Sequence, residues 1–304
     1  MRMVMGALVA LVCLLTPAMA APADDRILRV VLIPADGGTE SGTKADYGPT
    51  FDAVTRTTGL KFDIKVAQSY AAVVEAMCNQ AADIAFVGPV TYVQAHQRGC
   101  AQLLAVGVEG GKSIYYAGLF AKAASPVKTI KDLKGKRVAF GDINSTSSFV
   151  FPMAMIMEAG LDPVKDLAAI RMTGSHASSL AALVNGQVDV AALSFESFEK
   201  AAEQGAVKPG DIKVIARSIP IPNPPLVMNS RLPQAMKVRL KAAFAGLAKA
   251  PGISPEMIRG YGGKKVDGYD TNFSDAKFGI AAGKMAVVSD ELKGEILKMA
   301  AQRQ

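Results

Sequence analysis

Four prolines in seven residues, Ile219-Pro220-Ile221-Pro222-Asn223-Pro224-Pro225, set the strongest limit on how this chain can fold. A proline fixes φ and lacks a backbone N–H, so the stretch can be neither helix nor central strand. It lies late in a chain of 304 residues, long enough for two ordinary domains, and reads as a stiff crossing between two units. Ahead of it, strand and helix patterns alternate. Ile27 to Pro34, Lys61 to Val66, Ala82 to Val87, Leu103 to Val108 and Ile114 to Ala121 read as strands. Asp46 to Thr58, Ser69 to Gln80 and Thr91 to Gln97 read as helices, and Ala35 to Ala45 as a loop. Ala123-Ala124-Ser125-Pro126 reads as the first crossing, after which the alternation starts afresh. Such a pattern predicts an α/β protein with mostly parallel sheets covered by helices, and ligands beyond the carboxyl ends of the strands.

The second unit contains Phe140-Gly141-Asp142-Ile143-Asn144-Ser145-Thr146-Ser147-Ser148 between the strand Arg137 to Phe140 and the apolar helix Phe149 to Ala159. A helix start offers unpaired N–H groups and the positive end of the dipole, so hydroxyls crowded there can complete a cradle for a small anion. The plainer reading is that one of Ser145, Thr146 or Ser147 is an N-cap. Capping needs one hydroxyl, and four stand in a row. His176, at a loop-to-helix start after Thr173-Gly174-Ser175, is a further candidate donor.

Residues 1–20 read as a cleaved secretory signal: Arg2 is the positive start, Gly6 to Leu15 the apolar stretch, and Ala18-Met19-Ala20 the small-x-small site. Cys13 lies inside the apolar stretch behind the bulky Val12, which argues against a lipoprotein. Cys78 and Cys100 are then the remaining thiols. In an exported protein a disulfide is the first expectation, with a soft-metal or arsenite site on free thiolates as the alternative. The formal charge of +7 is scattered and Trp is absent, so nucleic-acid binding finds no support, while a mildly basic surface suits an anionic ligand. With two His and no helical His pair, a metal centre is not expected. No Gly-x-Ser-x-Gly elbow surrounds these serines, so a secreted hydrolase is the weakest reading.

Several segments together resemble one family, the periplasmic solute-binding proteins for phosphonate, phosphite and phosphate in ABC transport. They are Asp132 to Asp142, Asn144-Ser145-Thr146-Ser147 with Pro152, Gly88-Pro89 with Tyr92, Gly174-Ser175-His176, and the strand with Asp189. The resemblance implies a two-lobed, Venus-flytrap fold, with lobe 1 from 27–122 plus 226–304 and lobe 2 from 123–225. It implies an oxyanion held between the lobes by Ser145, Thr146 and Ser147, by Tyr47 and Tyr92, and by His176. Many relatives have Gly where this chain has Ser148, so a fourth hydroxyl either reaches the site or faces solvent. Relatives that take aminoalkyl phosphonates hold the ammonium with acids; Glu196 is placed for one, but Pro222-Asn223-Pro224 lacks the other. That favours phosphite, phosphate or a short phosphonate, with Glu196 accepting a hydrogen bond from a protonated ligand oxygen. The Cys78 and Cys100 layout also matches relatives with a bridge, and resembles a branch that senses arsenite for a membrane histidine kinase. Implied partners are a permease with its ATPase, or a sensor kinase ectodomain; a monomer without cofactor, free in the periplasm, is expected.

Overall fold

The computed structural model describes residues 26–35 and 40–302; the expected signal segment lies outside the described residues. Strand β1 (Ile27–Leu32) is followed by α1 (Glu40–Thr58), β2 (Lys61–Val66), α2 (Tyr70–Cys78), β3 (Ile84–Phe86), α3 (Pro89–Gln97) and β4 (Ala101–Val108). A short strand β5 (Ile114–Tyr115) leads to β6 (Ala117–Lys122), β7 (Arg137–Phe140), α4 (Phe151–Glu158), α5 (Pro163–Asp166) and β8 (Ala169–Met172). Next come α6 (His176–Val184), β9 (Val190–Ser194), α7 (Phe195–Glu203), β10 (Ile212–Arg217) and β11 (Ile221–Pro222). The chain closes with β12 (Pro225–Asn229), α8 (Gln234–Gly246), β13 (Gly268–Asp270), α9 (Gly279–Val287) and α10 (Asp290–Gln302).

These strands form two large sheets, ordered β13-β4-β12-β3-β1-β2 and β10-β6-β9-β7-β8. In the first, β2, β1 and β3 are parallel, and β12 inserts antiparallel between β3 and β4. In the second, β8, β7 and β9 are parallel and β6 runs against both β9 and β10. Helices cover both sheets, as the strand–helix alternation requires. Serines start the helices that matter for the cleft: Ser69, Ser175 and Ser194 each accept a backbone N–H from the first turn of α2, α6 and α7.

The chain changes sheet earlier than its Ser-Pro turn suggests. Ala117–Lys122, expected in lobe 1, pairs with β9 and β10, so the first crossing is at Tyr116. Nearly all of that strand is buried, and a doubly covered apolar strand carries no sign of which sheet it joins. The second crossing is where the prolines lie, but Pro225 opens β12, a strand in the middle of the first sheet. A proline is tolerated there because it is the first residue of the strand. Helix α1 begins at Glu40, inside the expected loop. At the other end, α10, expected with lobe 1, packs on β8 and α5 of the second sheet.

The two crossings pair with each other. Ile221 and Pro222 of β11 lie antiparallel to Tyr115 and Ile114 of β5, and Ser218 N–H donates to Ala117 O at 2.9 Å. Asn223 N–H donates to Ser113 O at 2.9 Å and its side chain to Gly107 O at 3.0 Å.

Cys78, at the end of α2, is bridged to Cys100, just before β4, with Cα atoms 4.7 Å apart. The expected disulfide forms and takes up both thiolates that an arsenite site would need. Asn229, buried beside it, donates to Met77 O at 2.7 Å and Ala82 O at 3.0 Å. The bridge closes a loop of sequence separation 22. Replacing both cysteines by serine is expected to cost about 3 kcal/mol of stability through regained loop entropy, read as a lower urea midpoint.

Candidate functional site

Three helix starts converge where the two sheets face each other. Ser145 is the N-cap of the first: its hydroxyl accepts Ser148 N–H at 3.2 Å. Val150 N–H reaches back to Ser145 O at 3.0 Å, an i to i+5 bond, so Thr146–Val150 form one wide π turn ahead of α4. Thr146 Oγ1 accepts the N–H of Val90, in the first turn of α3, at 2.9 Å across the cleft. Gly88 makes this approach possible, because a Cβ there would stand 3.0 Å from Thr146 Oγ1. Asn144 completes the junction, its carbonyl accepting Thr91 Oγ1 at 3.3 Å and its side-chain oxygen accepting Gln94 Nε2 at 3.0 Å.

Ser145, Thr146, Ser147 and Ser148 are each at most 2% exposed. Ser148 does not face solvent: it is fully buried, and its Oγ has no hydrogen-bond partner. A buried hydroxyl left in that state is costly, which marks it as a group held ready for something else. Gly141 lies against it. A Cβ at Gly141 would fall 2.9 Å from Ser148 Cβ and 3.5 Å from the carbonyl carbon of Ser175, so glycine lets the α4 and α6 starts close together. Asp142 ties in α2: its carboxylate accepts Asn144 N–H at 2.7 Å and, from the other lobe, Tyr70 N–H at 3.2 Å. Burial pushes its pKa up, against the lowering effect of those two donors.

His176 opens α6 and is 1% exposed. Its N–H donates to Ala35 O of the first lobe at 3.2 Å. Ser194 N–H donates to Nδ1 at 3.0 Å, so the ring proton of the neutral imidazole belongs on Nε2, which lies 3.3 Å from the Tyr261 hydroxyl. Burial lowers its pKa to about 3, keeping the ring neutral.

The remaining expected residues divide. Tyr47, on α1, is buried with its ring 4.4 Å from that of Phe86. Tyr92 is not brought to the hydroxyl cluster: its hydroxyl bonds Asp275 and lies 3.4 Å from His96 Nδ1, and its ring packs on Phe278. It stands two residues beyond Val90, on another face of α3. Glu196, in the first turn of α7, lines a recess of about 260 Å³ with Lys200, Arg259, Tyr261 and Lys264. There Lys200 pairs with Asp46, and Lys264 with Glu199 at 3.1 Å, each pair joining the two lobes. Tyr261 is the residue the sequence does not single out. It sits in a Gly-rich loop, yet is 8% exposed and faces His176, Ser194 and Ser197. A larger recess, about 690 Å³, lies under β8 and α10 and contains none of these groups.

Among the described residues no group of three or more His, Cys, Asp or Glu could hold a metal ion, and no helix is long and apolar enough to cross a membrane. What the cleft offers is neutral donors: hydroxyls, an imidazole N–H and helix-start amides. Such a set replaces the hydration shell of an oxyanion without a counter-charge.

A family model described as ABC transporter, phosphonate, periplasmic substrate-binding protein matches residues 38–268. The phosphate-import protein PhnD of Mycolicibacterium smegmatis is 31% identical over 242 residues, covering 75% of this chain and 74% of that protein. A binding protein component of an ABC phosphonate transporter from Pseudomonas aeruginosa superposes with a TM-score of 0.72 at 23% identity, over 92% of this chain and 100% of that one. PhnD1 from Prochlorococcus marinus, solved with methylphosphonate, gives a TM-score of 0.69 at 17% identity, over 86% and 100%.

The neutral state of His176 has a measurable cost. Unfolded, the ring takes up a proton below pH 6.5; folded, only near pH 3, so stability is complete above that window and falls as pH drops through it. Between pH 7 and pH 5 the loss due to this residue is expected to be about 2 kcal/mol. His176→Gln should remove that share, which urea titrations of both proteins at the two pH values read directly.

Proposed function

This chain belongs to the family of periplasmic substrate-binding proteins of phosphonate ABC transporters, and on that premise we propose that it captures a compact oxyanion: phosphite, phosphate or a short phosphonate. The family consists of substrate-binding components of transporters, not enzymes. The observation that carries the ligand reading is the buried Ser148 hydroxyl without a partner, set among three helix starts that close on one another from two lobes. The names of the relatives support it: one is a phosphate-import protein and another was solved with methylphosphonate.

In this reading lobe 1 runs from β1 to β4 and from β12 to α9, lobe 2 from β6 to β10, and α10 straps the second lobe. Thr146, Ser147, Ser148 and His176 donate to the anion from lobe 2. Ser145 holds the helix start in place, and Tyr47 closes the site from lobe 1. Glu196 accepts from a protonated ligand oxygen, since a carboxylate facing an anion is otherwise repelled. Tyr92 serves the packing of lobe 1. The mature chain begins after Ala20, acts as a monomer in the periplasm, and delivers its ligand to a permease driven by an ATPase.

Calorimetry on the mature protein with phosphite, phosphate and methylphosphonate tests this. At least one should bind, and Ser148→Ala should weaken it about 10- to 100-fold, the worth of a hydrogen bond to a charged group. Failure of the wild-type protein to bind any of the three overturns the reading.

A further inference from the structure

Tyr261 belongs to the chain's return through lobe 1, yet its side chain ends among groups of lobe 2. Its hydroxyl lies 3.3 Å from His176 Nε2, 3.3 Å from Ser194 Oγ and 3.5 Å from Ser197 Oγ. Because Nδ1 of His176 already accepts Ser194 N–H, Nε2 is the nitrogen with a proton to offer. Any ligand oxygen that takes that proton must stand next to the Tyr261 phenol.

The phenol is held in place from behind. Its ring is backed by Tyr115, with centroids 5.5 Å apart and rings nearly perpendicular, and by Phe86 at 6.2 Å. Both of those rings are buried, at 2% and 3% exposure. Its backbone is fixed as well. Gly260 N–H donates to Lys264 O at 2.7 Å, and Arg259 and Lys265 form a bridge below the turn. Gly262 and Gly263 adopt φ of +69° and +73°, and a Cβ on Gly263 would stand 2.9 Å from Asp46 Cγ. The turn is thereby locked against α1, and α1 is joined to α7 by the Asp46–Lys200 pair.

We propose that Tyr261 is the size-determining residue of the site: it walls off the space beyond His176 Nε2, so a ligand oxygen is admitted there and a carbon chain in the same direction is not. The proposal rests on the oxyanion reading above and deepens it by naming the feature that restricts the ligand to compact members of the class. A packed aromatic wall can do this because accommodating even one methylene requires the wall to move, which breaks its packing on Tyr115 and Phe86.

The test is calorimetry with phosphite, methylphosphonate, ethylphosphonate and propylphosphonate on the wild type, Tyr261→Ala, Tyr261→Leu and Tyr261→Phe. In the wild type, affinity should fall by about tenfold or more from methyl- to ethylphosphonate, the usual worth of one misfit methylene. In Tyr261→Ala that ratio should shrink by about tenfold or more, and propylphosphonate should become a ligand. Tyr261→Leu keeps apolar packing on Phe86 and Tyr115 with a shorter reach, so it reads the same ratio if the alanine variant folds poorly. Tyr261→Phe, which keeps the wall, should keep the ratio. An unchanged methyl-to-ethyl ratio in both shortened variants, with methylphosphonate still bound, overturns the size role alone. Absence of wild-type binding to every member of the panel overturns this proposal, and if phosphate is not bound either the oxyanion reading falls with it.

Discussion

The hydrogen bond from Val90 N–H to Thr146 Oγ1 is the contact on which the cleft depends. It joins the start of one helix to the start of another across two separately built sheets, and a single hydroxyl has to serve both. Gly88 and Gly141 are needed for the same reason: a methyl group at either position would push one helix start off its neighbour. Around this contact, Asp142 reaches the start of α2 and His176 reaches Ala35, so backbone N–H groups of both lobes are bonded across to the other. Backbone contacts of this kind are short, directional and insensitive to salt, and they fix the donors of the cleft in place before any anion arrives.

Cationic side chains are arranged around that core and paired outside it. Lysines at the cleft rim are paired with acids of the opposite lobe, as Lys200 with Asp46 and Lys264 with Glu199. Inside, the imidazole is held neutral and the hydroxyls carry no formal charge. A site built from dipoles binds an anion without burying a permanent cation, so it does not face the large penalty of an uncompensated ammonium when the ligand leaves.

How much of this could be read from residue order depends on how local the cause is. The Ser145–Ser148 run was legible because capping and helix-start chemistry act within a few residues, and the structure places all four hydroxyls in the buried turn. His176 was legible for the same reason, as the first residue after a capping Ser175. The direction of Tyr92 was not legible, because it depends on Asp275 and Phe278, which return from far along the chain. Tyr261 was missed because a tyrosine in a glycine-rich loop has no local signature; only the Asp46 contact and the rings of Phe86 and Tyr115 give it a direction. The first crossing was misplaced because strand 117–122 is buried on both faces, and burial alone does not say which sheet a strand will join.

The paired crossings have a mechanical consequence. Two unconnected linkers would let the lobes twist, slide and tilt independently. Here β5 and β11 are bonded to each other, and prolines at 220, 222, 224 and 225 stiffen one of the two strands, so whatever bends one must bend both. The ribbon works as a leaf spring, so the two lobes are joined by one stiff element instead of two loose threads.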